Sequence, residues 1–109
     1  MNAPLAEADL FRALADPTRR ALFERLCREG EATVGTLTGS AGVSQPVVSK
    51  HLAVLAGADL VERRAVGRNS HWRAHPKALA PLVDWTREMA GFWDGRLDEL
   101  EALLYRMDR

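Results

Sequence analysis

At 109 residues with 47% of them hydrophobic, the chain has the length of one domain and enough apolar residues for a small core, which excludes a disordered protein. No apolar run approaches the ~20 residues of a membrane span, no basic segment leads an apolar one at the N-terminus, and a lone cysteine closes no internal disulfide. These features lead us to expect a cytoplasmic protein without a signal peptide. The formal net charge is zero, but Arg63, Arg64, Arg68, Arg73 and Lys77 stand against Glu62 alone within residues 61–78, while residues 79–109 hold seven acids and four arginines. A basic stretch of that kind suits phosphate contact whatever the total charge.

In chain order, a first helix is expected over Leu5–Leu14, with Leu10, Phe11 and Leu14 on one side. Asp16 then caps a second helix and Pro17 takes its first position, where the missing N–H costs nothing. This helix runs to about Glu29 with Ala21, Leu22, Leu26 and Cys27 facing inward, and Gly30 stops it. Arg19 and Arg20 sit at its positive end, an unfavourable place for cations that suggests a phosphate partner or a pairing with Asp16. Thr33 can cap a short third helix through Leu37 to about Ala41.

Gly42 turns the chain into the segment richest in information. Ser44 is a helix N-cap, Pro46 sits in the first turn, and Val48, Leu52 and Leu55 recur at i, i+4 and i+7, which buries one face of a helix ending near Gly57. Gln45, Val47, Ser49, Lys50 and His51 lie on the remaining arc. Gln45 can pair with adenine and Val47 can touch a thymine methyl, while Ser49, Lys50 and His51 can reach phosphates or base edges. Residues 33–57 therefore read as a helix-turn-helix.

The period then changes. Leu60–Val66 and Ser70–Ala74 are β-compatible around the turn Gly67-Arg68-Asn69, which predicts a hairpin over 60–74 with a basic tip. Arg68 at that tip can enter a minor groove, with Arg64 and Arg73 near phosphate. Pro76 opens a final helix to about Met107, expected to run unbroken through Gly91 and Gly95. The expected fold is mainly α with a small β-hairpin, in the order α-α-α-α-β-β-α: a winged helix-turn-helix domain over residues 1–109, with helices over 5–30, the helix-turn-helix at 33–57, the wing at 60–74 and a dimerisation helix at 76–107.

The chain resembles the ArsR-type bacterial repressors. The residues that carry the resemblance are Leu14-Ala15-Asp16-Pro17-Thr18-Arg19-Arg20-Ala21-Leu22, then Val43-Ser44-Gln45-Pro46-Val47-Val48-Ser49-Lys50-His51-Leu52, Leu55, Asp59-Leu60-Val61 and the Gly67-Arg68 turn. Phe92-Trp93-Asp94-Gly95-Arg96-Leu97-Asp98 is similar to the terminal helix of a metal-independent branch. The resemblance implies a homodimeric repressor that binds double-stranded DNA at a near-palindromic operator through Gln45, Val47, Ser49, Lys50, His51, Arg64, Arg68, Arg73 and Arg19. Family members that sense metal carry two close cysteines in the third helix; Thr33 and Gly35 stand there instead, and the last helix has no histidine. No metal site and no cofactor are expected, and Cys27 is expected to be a buried core thiol.

Leu82, Trp85, Met89, Phe92, Trp93, Leu97, Leu100, Leu103 and Leu104 form an apolar band wider than one small domain needs. Phe92, Trp93, Leu97, Leu100 and Leu104 are the expected dimer contacts, with Leu5, Leu10 and Phe11 packing across from the partner. A winged-helix module that regulates through a protein partner is the alternative; the presence of Gln45, Lys50 and Arg68 argues against it. An enzyme is not expected, since no nucleophile elbow, phosphate-cradling glycine loop or His-Glu metal motif occurs.

Overall fold

A computed structural model describes residues 3–108, with side chains from Glu7 onward. The chain divides into two compact units, one up to Leu79 and one from Ala80. The first holds helices α1 (Ala3–Ala15), α2 (Pro17–Glu29), α3 (Val34–Ala41) and α4 (Gln45–Gly57), strands β1 (Ala32–Thr33), β2 (Val61–Val66) and β3 (Asn69–Ala74), and a 3-10 turn, Pro76–Leu79. The second is one helix, α5 (Ala80–Met107).

Helices α2, α3 and α4 each begin at a recognisable N-cap position. Asp16 holds extended backbone angles and its carboxylate accepts from the Arg19 N–H at 2.8 Å, with Pro17 opening the helix. Thr33 does the same for α3, accepting from the Thr36 N–H at 3.1 Å. Ser44 occupies the N-cap position of α4, but its hydroxyl makes no capping bond. Gly42 sits at φ 73°, the left-handed conformation needed to reverse the chain between α3 and α4.

The end of α4 is equally well defined. Asp59 N–H bonds to the Ala56 carbonyl at 3.0 Å and Leu60 N–H to the Leu55 carbonyl at 3.0 Å, with Asp59 itself at φ 61°. This is the Schellman arrangement, and its accompanying apolar contact falls on two fully buried residues, Leu55 and Leu60. The turn aims the chain from α4 into β2, and so sets where the wing stands.

The core consists of Leu10, Ala13, Leu22, Phe23, Leu26, Leu37, Val48, Leu52, Leu55, Leu60 and Val61. The i, i+4, i+7 stripe of α4 is fully buried, as its period requires. Other expectations need correcting. On α1 the buried pair is Leu10 and Ala13, while Phe11 is 43% exposed. On α2 Phe23 takes the inward place given to Ala21, and both Ala21 and Cys27 are exposed. The Cys27 thiol is nonetheless pushed above its usual pKa by local desolvation, so it stays a thiol at neutral pH and a poor nucleophile.

The hairpin is joined by a third strand absent from the sequence expectation. The antiparallel order is β1-β3-β2, with Ala32 opposite Trp72, Thr33 opposite His71, Arg64 opposite His71 and Val66 opposite Asn69. The connecting loop is Gly67-Arg68 alone. Gly67 is at φ 61° and Arg68 is not at positive φ, the pattern of a type II′ turn, whose twist matches the strands.

Helix α5 runs unbroken through Gly91 and Gly95 and contains no buried residue. Phe92 (66% exposed), Trp93 (54%), Leu97 (57%), Leu100 (50%) and Leu104 (55%) all meet solvent, and the Arg96 guanidinium lies 5.6 Å from the centre of the Trp93 ring. No described helix is long and apolar enough to cross a membrane.

Candidate nucleic-acid interface

Burial of Val48, Leu52 and Leu55 turns the opposite side of α4 outward. Gln45, Val47, Ser49 and Lys50 are exposed. Ser44 leaves the first turn uncapped and Pro46 has no N–H, so the Val47 N–H is left without an intrahelical partner. An open cleft of about 490 Å³ is lined by Gln45 at this end of α4, by Arg68, Asn69 and Ser70 of the wing, and by Thr33 to Gly35. Gln45 and Arg68 thus border one opening. Among the described residues neither Lys50 nor Arg68 has a hydrogen-bond or ion-pair partner.

The other expected DNA residues have partners inside the protein. Arg19 donates through Nε to the Ala13 carbonyl and through Nη2 to the Arg12 carbonyl at 3.0 Å, and Arg20 donates to the Leu14 carbonyl at 3.2 Å. The two cations at the start of α2 thus meet the negative end of α1 within the protein. His51 is also not on the open face. Its side chain is only 17% exposed, with Nε2 3.8 Å from Asp16 Oδ2 and Nδ1 buried without a partner. The signal was available: His51 follows Val48 by three residues, on the shoulder of the buried stripe. Asp16 is held below the usual carboxylate range chiefly by the Arg19 N–H, with His51 adding to the effect.

On the sheet, Arg64 grips Glu31 with both ends of its fork, Nη2 to Oε2 at 2.6 Å and Nε to Oε1 at 3.2 Å. His71 Nδ1 lies 3.4 Å from the same Oε2. Arg73 pairs with Glu62, which also meets His75 Nε2 at 2.9 Å. Both glutamates are consequently held below the ordinary carboxylate range, Glu31 first by Arg64 and Glu62 first by His75 and then Arg73, and Arg64 is raised by Glu31.

One cation was missed. Arg63 donates from Nε to Ser70 Oγ at 2.8 Å, and Ser70 lines the cleft shared by Gln45 and Arg68. Strand alternation carried that signal, because Arg63 and Arg64 must point to opposite faces. Thr33 caps α3 and donates to Thr36 Oγ1 at 3.0 Å, and Gly35 is exposed. Among the described residues no three His, Cys, Asp or Glu side chains converge. Leu10 of the expected dimer contacts lies in the core of its own chain, Phe11 remains exposed, and the side chain of Leu5 falls outside the described residues.

Residues 14–64 match the helix-turn-helix domain family. A helix-turn-helix transcriptional regulator of Mycobacterium tuberculosis is 44% identical over 87 residues, covering 75% of this chain and 80% of the relative. The arsenical resistance operon repressor of Escherichia coli is 38% identical, covering 96% of this chain and 87% of its own. Among solved structures, an ArsR family transcriptional regulator superposes with a TM-score of 0.76 at 31% identity over 84% of this chain and 93% of its own. The homodimeric winged helix-turn-helix DNA-binding domain of a possible ArsR-family regulator from Mycobacterium bovis gives 0.63 at 26% identity, over 79% of both chains.

Proposed function

Starting from a chain that belongs to the ArsR family of winged helix-turn-helix DNA-binding transcriptional regulators, we propose that it works as a homodimeric repressor of a near-palindromic operator. The observation that carries this reading is that Gln45, at the start of the exposed polar face of α4, borders the same cleft as the unpaired Arg68. The base-reading role falls to Gln45 and Val47 at the start of the helix, the phosphate role to Lys50, Ser49 and Arg68. Arg63 joins them through its place beside Ser70.

The twofold partner is a second copy of the chain, seated on the band of α5. Five large apolar residues there, from Phe92 to Leu104, are each at least half exposed. Leaving that exposed half in water forgoes on the order of 1 kcal/mol per side chain, which a symmetric partner recovers. The homodimeric state of the M. bovis domain supports the same reading. Two recognition helices would then enter successive major grooves about 34 Å apart, and the bound dimer would bar polymerase from the promoter. The site of action is the cytoplasm, where the DNA of a bacterial regulator lies.

Titration of wild type and variants against operator and random duplexes tests the assignment. Lys50→Ala and Arg68→Ala weaken binding to all sequences alike. Gln45→Ala costs about 1–3 kcal/mol on operator DNA and little on random DNA. Equal losses on both duplexes for Gln45→Ala would remove it from the base-reading role.

A further inference from the structure

We propose that Glu31 and Glu62 act as internal stand-ins for DNA phosphate, occupying Arg64 and Arg73 on the outer face of the wing sheet and so weakening the protein's grip on DNA of any sequence. The inference rests on the DNA-binding reading above and refines the part that the wing plays in it.

Strand register puts these groups together. Glu62 is opposite Arg73 and Arg64 opposite His71, and residues two apart on a strand share a face. Glu62, Arg64, His71 and Arg73 therefore form one patch, on the face away from buried Val61. Glu31 reaches that patch from the residue before β1, because Thr33 is paired with His71. The sequence shows five cations in residues 61–78 against one acid. The fold adds a second acid from 33 residues before Arg64 and engages two of the five cations.

The geometry is that of a substitute for phosphate. Arg64 presents Nε and Nη2 to two oxygens of one carboxylate, the same pair of donors it would offer to two phosphate oxygens, so it cannot serve both at once. The Arg64 side chain is 56% exposed and that of Arg73 52%, so each pair faces solvent and can be exchanged. Sequence-independent affinity is an electrostatic quantity set by the number of phosphates neutralised, whereas base contacts from α4 are not drawn from this patch. Withholding two arginines per protomer lowers the non-specific term and leaves base reading intact.

The test is a salt series of binding titrations on a labelled random-sequence duplex, using the full chain as wild type, Glu31→Gln, Glu31→Gln/Arg64→Gln and Glu101→Gln. The last removes an equal charge from an exposed position on α5. Freeing Arg64 in Glu31→Gln should steepen the plot of log affinity against log salt by about 0.9 per protomer. For a dimer the ratio of affinities at 50 and 200 mM salt then grows about tenfold. The double variant should return to the wild-type slope, and Glu101→Gln should match wild type. Glu31→Asp keeps the charge but shortens its reach; it should steepen the slope in part, and it stands in if the glutamine variant does not fold. An unchanged slope in Glu31→Gln, or a gain that survives loss of Arg64, overturns the proposal. A wild type that binds neither this duplex nor operator DNA removes the DNA reading itself, a result distinct from either.

Discussion

Helices α4 and α5 carry the same kind of apolar stripe and meet opposite fates. In α4 Val48, Leu52 and Leu55 have no exposed surface, whereas in α5 a longer stripe of larger side chains has no buried member. Periodicity thus says that a face is to be covered, not what covers it. For α4 the cover is the chain's own α1, α2, α3 and β2. For α5 we assign it to a second copy.

Substitutions in the two stripes separate these cases. The largest effect belongs to the covered one. Leu52→Ala leaves a cavity in a fully buried site and should cost about 2–5 kcal/mol of unfolding free energy, read by chemical denaturation. A loss under 1 kcal/mol would mean that the α4 core is looser than its burial indicates.

Trp93→Ala in the other stripe should leave that core folded and act on assembly instead. Truncating an aromatic at the middle of an interface costs about 2 kcal/mol, a roughly thirtyfold weaker dimer, with operator binding falling alongside. Sedimentation at micromolar concentration checks both. A wild type that sediments as a 12.1 kDa monomer yet binds a palindrome tightly would remove the symmetric cover.

A smaller effect sharpens which side of α5 is used. At 100° per residue Gly91 and Gly95 fall opposite the apolar band, and an added Cβ at either meets nothing within 4 Å. Gly91→Ala and Gly95→Ala should each stabilise the helix by about 1 kcal/mol without changing the dimer. Loss of the dimer in either variant would place the partner against the glycine side.

The smallest effect lies in acid and is confined to the first unit. Asp16, Glu31 and Glu62 all have carboxyls held below their ordinary range. A lowered folded-state pKa contributes stability above the unfolded value, and that contribution is lost as pH falls through the folded one. The melting temperature should therefore be flat from neutral pH to about 5 and fall below about pH 4. Asp16→Asn, which keeps a capping oxygen, should flatten that fall slightly. An identical acid limb in this variant would detach Asp16 from the pH dependence.

Much of this architecture is legible in the residues themselves, because its signals act within a turn or two of chain. Asp16-Pro17 starts a helix by supplying an acceptor and a preset φ. Val48, Leu52 and Leu55 mark one face by spacing alone, and Gly67-Arg68 makes a tight turn through one positive φ. Gln45, Lys50 and Arg68 stand exposed for equally local reasons.

Tertiary structure decided everything that depends on a distant partner. The two-residue strand β1 exists only because β3 offers it a free edge, and its Thr33 serves strand and cap together. Arg19 finds the carbonyls at the end of α1, and His51 turns toward Asp16 at the cap of α2. Arg64 meets Glu31 across 33 residues of sequence. Residue type and spacing set which charges the chain carries and which faces must be buried. Which cation remains free for DNA depends on the acids that folding brings beside it, since electrostatic pairing acts through space and not along the chain.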